Sequence, residues 1–151
     1  MARLPEFKVR LMVREDMGLY SAGSISSPED AVKLLAEELG ELDVEQMYVL
    51  NLDVKNKPIS YHIVSIGDIS GTVCAMRSVF KTAILANASN IMLFHNHPSG
   101  DVTPSAEDEE VTRRAREAGK ILGIKVLDHI IVGAGGREMY SFVAGEKNLT
   151  T

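Results

Sequence analysis

His95-Asn96-His97 is followed, seven residues on, by Ser105-Ala106-Glu107-Asp108. This short span brings together two imidazoles, a carboxylate and a hydroxyl. Two imidazoles and a carboxylate suffice to hold one divalent cation, and three protein ligands leave a fourth tetrahedral position open to water, as in catalytic rather than structural zinc sites. The expected chemistry is metal-dependent hydrolysis. Each half alone is weak, because His-x-His recurs by chance and Ser-x-x-Asp at a helix start is usually a cap. The context supplies the weight. On an extended chain His95 and His97 share one face while Asn96 takes the other. The helix after Ser105 aligns Val111, Ala115, Ala118 and Leu122 on one stripe, and Asp108 continues that stripe into the first turn. A carboxylate on a core-facing stripe is costly unless something pairs with it. Ser105 is expected both to cap the helix and to offer its hydroxyl to the site, two roles that compete for one oxygen.

The elements that must position these groups follow from local pattern. Phe7 to Val13 alternates Lys8 and Arg10 with Val9, Leu11 and Val13, which suits a half-buried edge strand able to pair with another copy. Ser27-Pro28-Glu29-Asp30 reads as an N-cap, a proline at the first helical position and acids in the first turn; Val32, Leu35 and Leu39 follow at helical spacing and Gly40 ends the helix. Strands are expected over Met47 to Leu52 and Ile59 to Val64, around a turn from Asp53 to Pro58. A helix over Arg77 to Ala88 turns Val79, Ala83 and Leu85 inward. Asn90 to Phe94 reads as a central strand covered on both faces, with the two histidines just past its carboxyl end and a loop from Asn96 to Pro104. A third helix runs from Ser105 to about Leu122. Val126 to Val132 and Met139 to Val143 close the sheet around the turn Gly133 to Arg137, and Glu146 to Thr151 is expected to fray. The fold class is α/β: one domain over residues 25–145 with a mixed sheet flanked by helices, preceded by an extension over 1–24.

Composition narrows the setting. A chain of 151 residues fits one core, and 45% hydrophobic with 25% charged residues is ordinary for a globular protein. The net charge of -5 leaves no basic footprint, so direct DNA binding is not expected. Cys74 is the single cysteine, which excludes an internal disulfide, cysteine-built structural zinc and the cysteine pair of zinc deaminases. No signal peptide and no membrane span are expected; a reducing cytoplasm is the expected compartment.

The order His95-x-His97, seven residues, Ser105-x-x-Asp108 resembles the signature of the JAMM (MPN+ or JAB) metalloproteases. The fuller wording His95-Asn96-His97-Pro98-Ser99-Gly100-Asp101, then Pro104-Ser105 and Asp128-His129-Ile130-Ile131, is similar to the RadC branch of that family. The resemblance covers about Glu45 to Val143. It implies a zinc-dependent α/β domain shaped like the cytidine deaminases, with one catalytic Zn2+ on His95, His97 and Asp108. It implies a Ser105 that steadies an oxyanion and an upstream glutamate as general base, best matched by Glu45, with Glu41 as fallback. Better-studied members cleave peptide or isopeptide bonds, so the implied partner is a peptide or protein substrate. The branch name implies DNA repair. Two departures stand out. Nothing before Ser27 is long enough for the helix-hairpin-helix region usual in full-length members, which weakens direct DNA binding further. Arg77-Ser78 stands where many members have Arg-Glu, which removes a rival acid and favours Glu45.

Other readings are weighed against this one. His-Asn-His as a literal string suggests an HNH nuclease, but that motif disperses its residues through a ββα-metal fold. A metal-dependent nuclease or repair accessory follows from the branch name, and a ligand-free scaffold from relatives that have lost their metal. Asp128 and His129 point to opposite strand faces, so at most one faces the site. The favoured reading of His129 is a buried histidine held by a backbone carbonyl, the alternative a partner that orients a metal ligand. His62 is expected to be structural or exposed, and Cys74 a small buried residue.

Overall fold

The computed structural model describes residues 23–66 and 74–148. The Phe7 to Val13 strand and the last three residues of the expected tail lie outside them. Six strands form one sheet in the order β2-β1-β3-β4-β5-β6: β1 (Gln46–Leu52), β2 (Pro58–Ile66), β3 (Asn90–His97), β4 (Lys125–Gly133), β5 (Glu138–Ser141) and β6 (Gly145–Asn148). Among the paired strands of the described residues only β3 and β4 run parallel, and a crossover helix joins them, as parallel neighbours require. That helix is α3 (Ala106–Leu122). It shares one face of the sheet with α2 (Met76–Leu85), while α1 (Pro28–Gly40) covers the other.

Strand alternation divides the core between the two faces. Met47, Val49, Ile91 and Leu93 pack under α2 and α3 with Val79, Phe80, Ala83 and Val111. Tyr48, Leu50, Met92, Phe94, Ile130 and Val132 pack under α1 with Val32, Leu35 and Leu39. Each large apolar side chain so buried contributes about 1.5–3 kcal/mol, which concentrates the packing energy on the central strands.

Several boundaries depart from the sequence reading. Leu85 is half-buried and Phe80, fully buried, takes its inward place in α2. Leu122 is 46% exposed, and Thr112 and Gly119 join the buried stripe of α3. Gly40 is the last residue of α1 rather than its stop, and close approach explains it: a Cβ there would lie 2.4 Å from Gly136 N. The expected tail is structured as far as Asn148. Gly145, at φ 82°, closes a tight loop after Ser141 and lets β6 pair antiparallel with β5, a turn geometry that glycine accepts without a steric penalty. Among the described residues no helix is long and apolar enough to cross a membrane.

Candidate metal centre

The histidines lie on β3 itself, not in a loop beyond it. Met47 pairs with His95 on one side, while Ile131 and Gly133 pair with His95 and His97 on the other, so β4 alone carries the strand to its last residue. Pro98, which has no N–H to give the ladder, follows immediately. Both imidazoles project to the α3 face, their centroids 4.7 Å apart and their planes nearly perpendicular. His97 Nδ1 is 2.7 Å from the carbonyl of Asp101. A carbonyl only accepts, so Nδ1 carries the hydrogen and Nε2 is left for the site. The loop supplying that carbonyl is pinned by buried Val102 and rests on Gly133, where a Cβ would meet Gly100 O at 2.9 Å.

The helix start delivers the carboxylate as the sequence implies. Ser105 Oγ accepts from Asp108 N at 3.1 Å and donates to Asp108 Oδ2 at 2.8 Å, while Ser105 N also donates to Oδ2 at 2.8 Å. This is a complete capping box. Asp108 is 1% exposed. Its Oδ1 lies 3.0 Å from His95 Nδ1 and its Oδ2 lies 3.4 Å from His97 Nε2. Burial pushes the Asp108 carboxyl up, but nearby His95 and His97 and the Ser105 N–H outweigh it and hold it far below the usual range. The Asp108 contact raises the His97 imidazole above its ordinary value, against the opposing effect of burial. The two shifts are opposite in direction and share one cause, the contact between the Asp108 carboxylate and the imidazoles.

Glu45 enters from the segment before β1, its Oε2 3.6 Å from His95 Nε2 and its side chain 33% exposed. Glu41, at the end of α1, is exposed and does not join this group. What holds Glu45 is Asn96, whose role the sequence reading missed. The β1–β3 ladder ends at Met47 and His95, and the Asn96 amide takes over from there. Its Oδ1 accepts from Gln46 N at 2.7 Å and its Nδ2 donates to Val44 O at 2.9 Å, gripping the residues on either side of Glu45. The available signal was an asparagine on the core side of a central strand, where a polar side chain must find partners.

His129 also faces the site. Ile91 pairs with Val126 but Met92 pairs with Asp128, so Leu127 is an extra residue in β4. This bulge reverses the alternation, turning Asp128 to the α1 face and His129 to the face of His95, 6.3 Å between ring centroids. The partner of His129 is the Thr112 hydroxyl at 2.6 Å, not a backbone carbonyl. Burial lowers this imidazole to about 3, so it is neutral. On the other face Asp128 accepts from Ser141 Oγ at 2.5 Å and His129 N at 2.8 Å, its carboxyl raised by burial. His62 stands apart, tied to Thr82 Oγ1 at 2.6 Å and Ser78 O at 3.1 Å, and buried Cys74 has its thiol pushed up by burial.

The donor set fits a cation. Glu45, His95 and His97 each present an atom within 4.8 Å of the others. His95 is 1% exposed, yet neither ring nitrogen makes a hydrogen bond among the described residues, Asp108 Oδ1 at 3.0 Å and Glu45 Oε2 at 3.6 Å being ion-pair contacts. Such a buried polar group needs an explanation, and a cation bound at one nitrogen provides it.

A mixed sheet with His-x-His at the end of a central strand, faced by Ser-x-x-Asp at the next helix start, gives the domain a site that could hold a metal ion. The chain belongs to the family described as RadC-like JAB domain, whose family model matches residues 25–149. A UPF0758 protein of Caldanaerobacter subterraneus subsp. tengcongensis is 55% identical over 112 residues, covering 74% of this chain and 48% of that protein. UPF0758 proteins of Rubrobacter xylanophilus and Symbiobacterium thermophilum are 50% and 46% identical, covering 74% of this chain and 49% and 48% of their own lengths. The chain thus spans about half the length of the curated relatives it matches.

Proposed function

We propose that this domain is a zinc-dependent hydrolase of peptide or isopeptide bonds, with His95, His97 and Asp108 as metal ligands, Glu45 as general base and Ser105 as oxyanion donor. The observation that carries the reading is the meeting of a buried His95, whose ring nitrogens make no hydrogen bond among the described residues, with His97 and two carboxylates from separate segments. Bound zinc supplies a Lewis acid and brings water within reach of deprotonation near neutral pH. Exposure separates the two acids. Asp108 at 1% is sealed against the histidines and suits a ligand, whereas the Glu45 side chain at 33% is open to solvent and suits proton exchange. Glu45 takes the proton of the attacking water and returns it to the leaving amine. The two roles of Ser105 use different ends of the hydroxyl. Its lone pair caps Asp108 N, and its hydrogen, now on Asp108 Oδ2, turns to the substrate oxygen once that carboxylate is engaged elsewhere.

The test pairs metal analysis with a panel of peptide, isopeptide and DNA substrates. Glu45→Gln is expected to keep zinc and lose turnover, while Asp108→Ala loses both. Loss of zinc in Glu45→Gln would make Glu45 a ligand instead, and metal-dependent cleavage of DNA alone would refute the peptidase reading.

A further inference from the structure

We propose that Thr112 and His129 are positioning residues whose buried relay fixes the first turn of α3, and with it the Asp108 carboxylate, for cation binding; this rests on the metal reading above. Thr112 Oγ1 lies 2.6 Å from the backbone carbonyl of Asp108 and 2.6 Å from His129 Nδ1. Both residues are buried, at 2% and 0% exposure. A threonine bonding back to the carbonyl four residues earlier is ordinary in a helix. Here the same oxygen is also bound from β4.

The hydrogens can be assigned. The Asp108 carbonyl only accepts, so the single Thr112 hydroxyl hydrogen goes to it. Thr112 Oγ1 must then accept from His129, which places the ring hydrogen of that neutral imidazole on Nδ1. The chain runs from His129 Nδ1–H to Thr112 Oγ1–H to the Asp108 carbonyl. Phe142 fixes the ring from one side, with centroids 4.9 Å apart and planes 7° from parallel, and His95 lies beyond the ring at 6.3 Å. One side chain thus braces both the helix turn that carries Asp108 and the neighbourhood of a histidine ligand. The arrangement carries a cost. His129 Nε2 is buried with no partner among the described residues, a penalty that phenylalanine or leucine would avoid. A polar residue kept where an apolar one would pack argues for orientation rather than filling. Residues of this kind around a metal ligand set its affinity and geometry.

Zinc affinity by chelator competition and the visible spectrum of the Co2+ form decide the matter in wild type, Thr112→Val and Thr112→Ser. Thr112→Val keeps the shape and removes the hydroxyl; it is expected to bind zinc about 10–100-fold more weakly with an altered Co2+ spectrum, while Thr112→Ser returns to within about threefold of wild type. Wild-type affinity and spectrum in Thr112→Val would overturn the relay. Failure of the wild type itself to bind zinc would instead refute the metal reading and remove the relay's purpose. Should Thr112→Val not fold, the long-range 1H–15N spectrum of metal-free wild type decides. A hydrogen on His129 Nδ1 supports the relay, and one on Nε2 overturns it whatever the metal does.

Discussion

Replacing Asn96 by alanine isolates the device that holds the Glu45 segment, because the side chain contacts the backbone around Glu45 without facing the pocket between His95, His97 and Asp108. The substitution removes an acceptor 2.7 Å from Gln46 N and a donor 2.9 Å from Val44 O, at a residue 1% exposed. Two net hydrogen bonds amount to about 1–3 kcal/mol. Partners left buried and unpaired would raise this, and a water entering the vacated space would lower it, so about 3 kcal/mol is the working figure. Against a total stability of about 5–15 kcal/mol the domain should still fold, with a melting point lowered by about 6–12 °C for a chain of this size.

The assay is urea unfolding combined with amide exchange read at Gln46. Exchange at Gln46 should accelerate far more than at Val49 or Leu93 in the ladder interior, because only the flank of β1 has lost its partner. Asn96→Asp sharpens the test. Its carboxylate can still accept from Gln46 N but faces the Val44 carbonyl with no hydrogen to give, so at neutral pH it should be less stable than alanine. Acidification protonates it and restores a donor. Asn96→Asp should therefore gain stability relative to wild type as pH falls. Unchanged Gln46 exchange in Asn96→Ala, or an Asn96→Asp variant without that pH response, would refute the argument.

Three further outcomes are expected. Gly133→Ala places a Cβ 2.9 Å from Gly100 O and 3.1 Å from Val102 Cγ1; it should cost about 1–3 kcal/mol in denaturant unfolding, and weaken metal binding because the displaced loop holds His97 through the Asp101 carbonyl. Ser105→Ala removes the N-cap of α3 and should cost about 0.5–2 kcal/mol while retaining zinc, so metal loss in this variant would show Ser105 acting as a ligand. Burial lowers the His62 imidazole below 6.5, so the unfolded chain binds more protons in that window, and the stability this group contributes is full above about pH 6.5 and lost as pH falls. His129 acts in the same direction and His97 in the opposite one. His62→Gln should flatten the change in unfolding free energy between roughly pH 7.5 and 5.5, and an unaltered slope would remove His62 from the acid response.

The site was legible where chemistry and local geometry coincide. Ser105 and Asp108 form their box within one helical turn, and His95 and His97 share a face by alternation alone, so neither required knowledge of the remote chain. Glu45 was harder, because a glutamate before a strand has no local mark; its place depends on Asn96, 50 residues from Gln46, and on where the β1–β3 ladder stops. The face of His129 could not be read from β4 at all. Counting by twos from Val126, which packs under α3, turns Asp128 to the metal side and His129 away. Only the extra residue Leu127, visible in the pairing with β3, reverses that assignment. The bulge therefore has a testable consequence of its own. Deleting Leu127 removes only the unpaired residue and leaves Val126 opposite Ile91, Asp128 opposite Met92 and His129 opposite Leu93, so both side chains should keep their faces. The variant should lose the packing of Leu127 under α1 yet fold and keep the Co2+ absorption of wild type. A folded deletion variant with altered Co2+ absorption would show that the pairing with β3 does not set the phase of this strand.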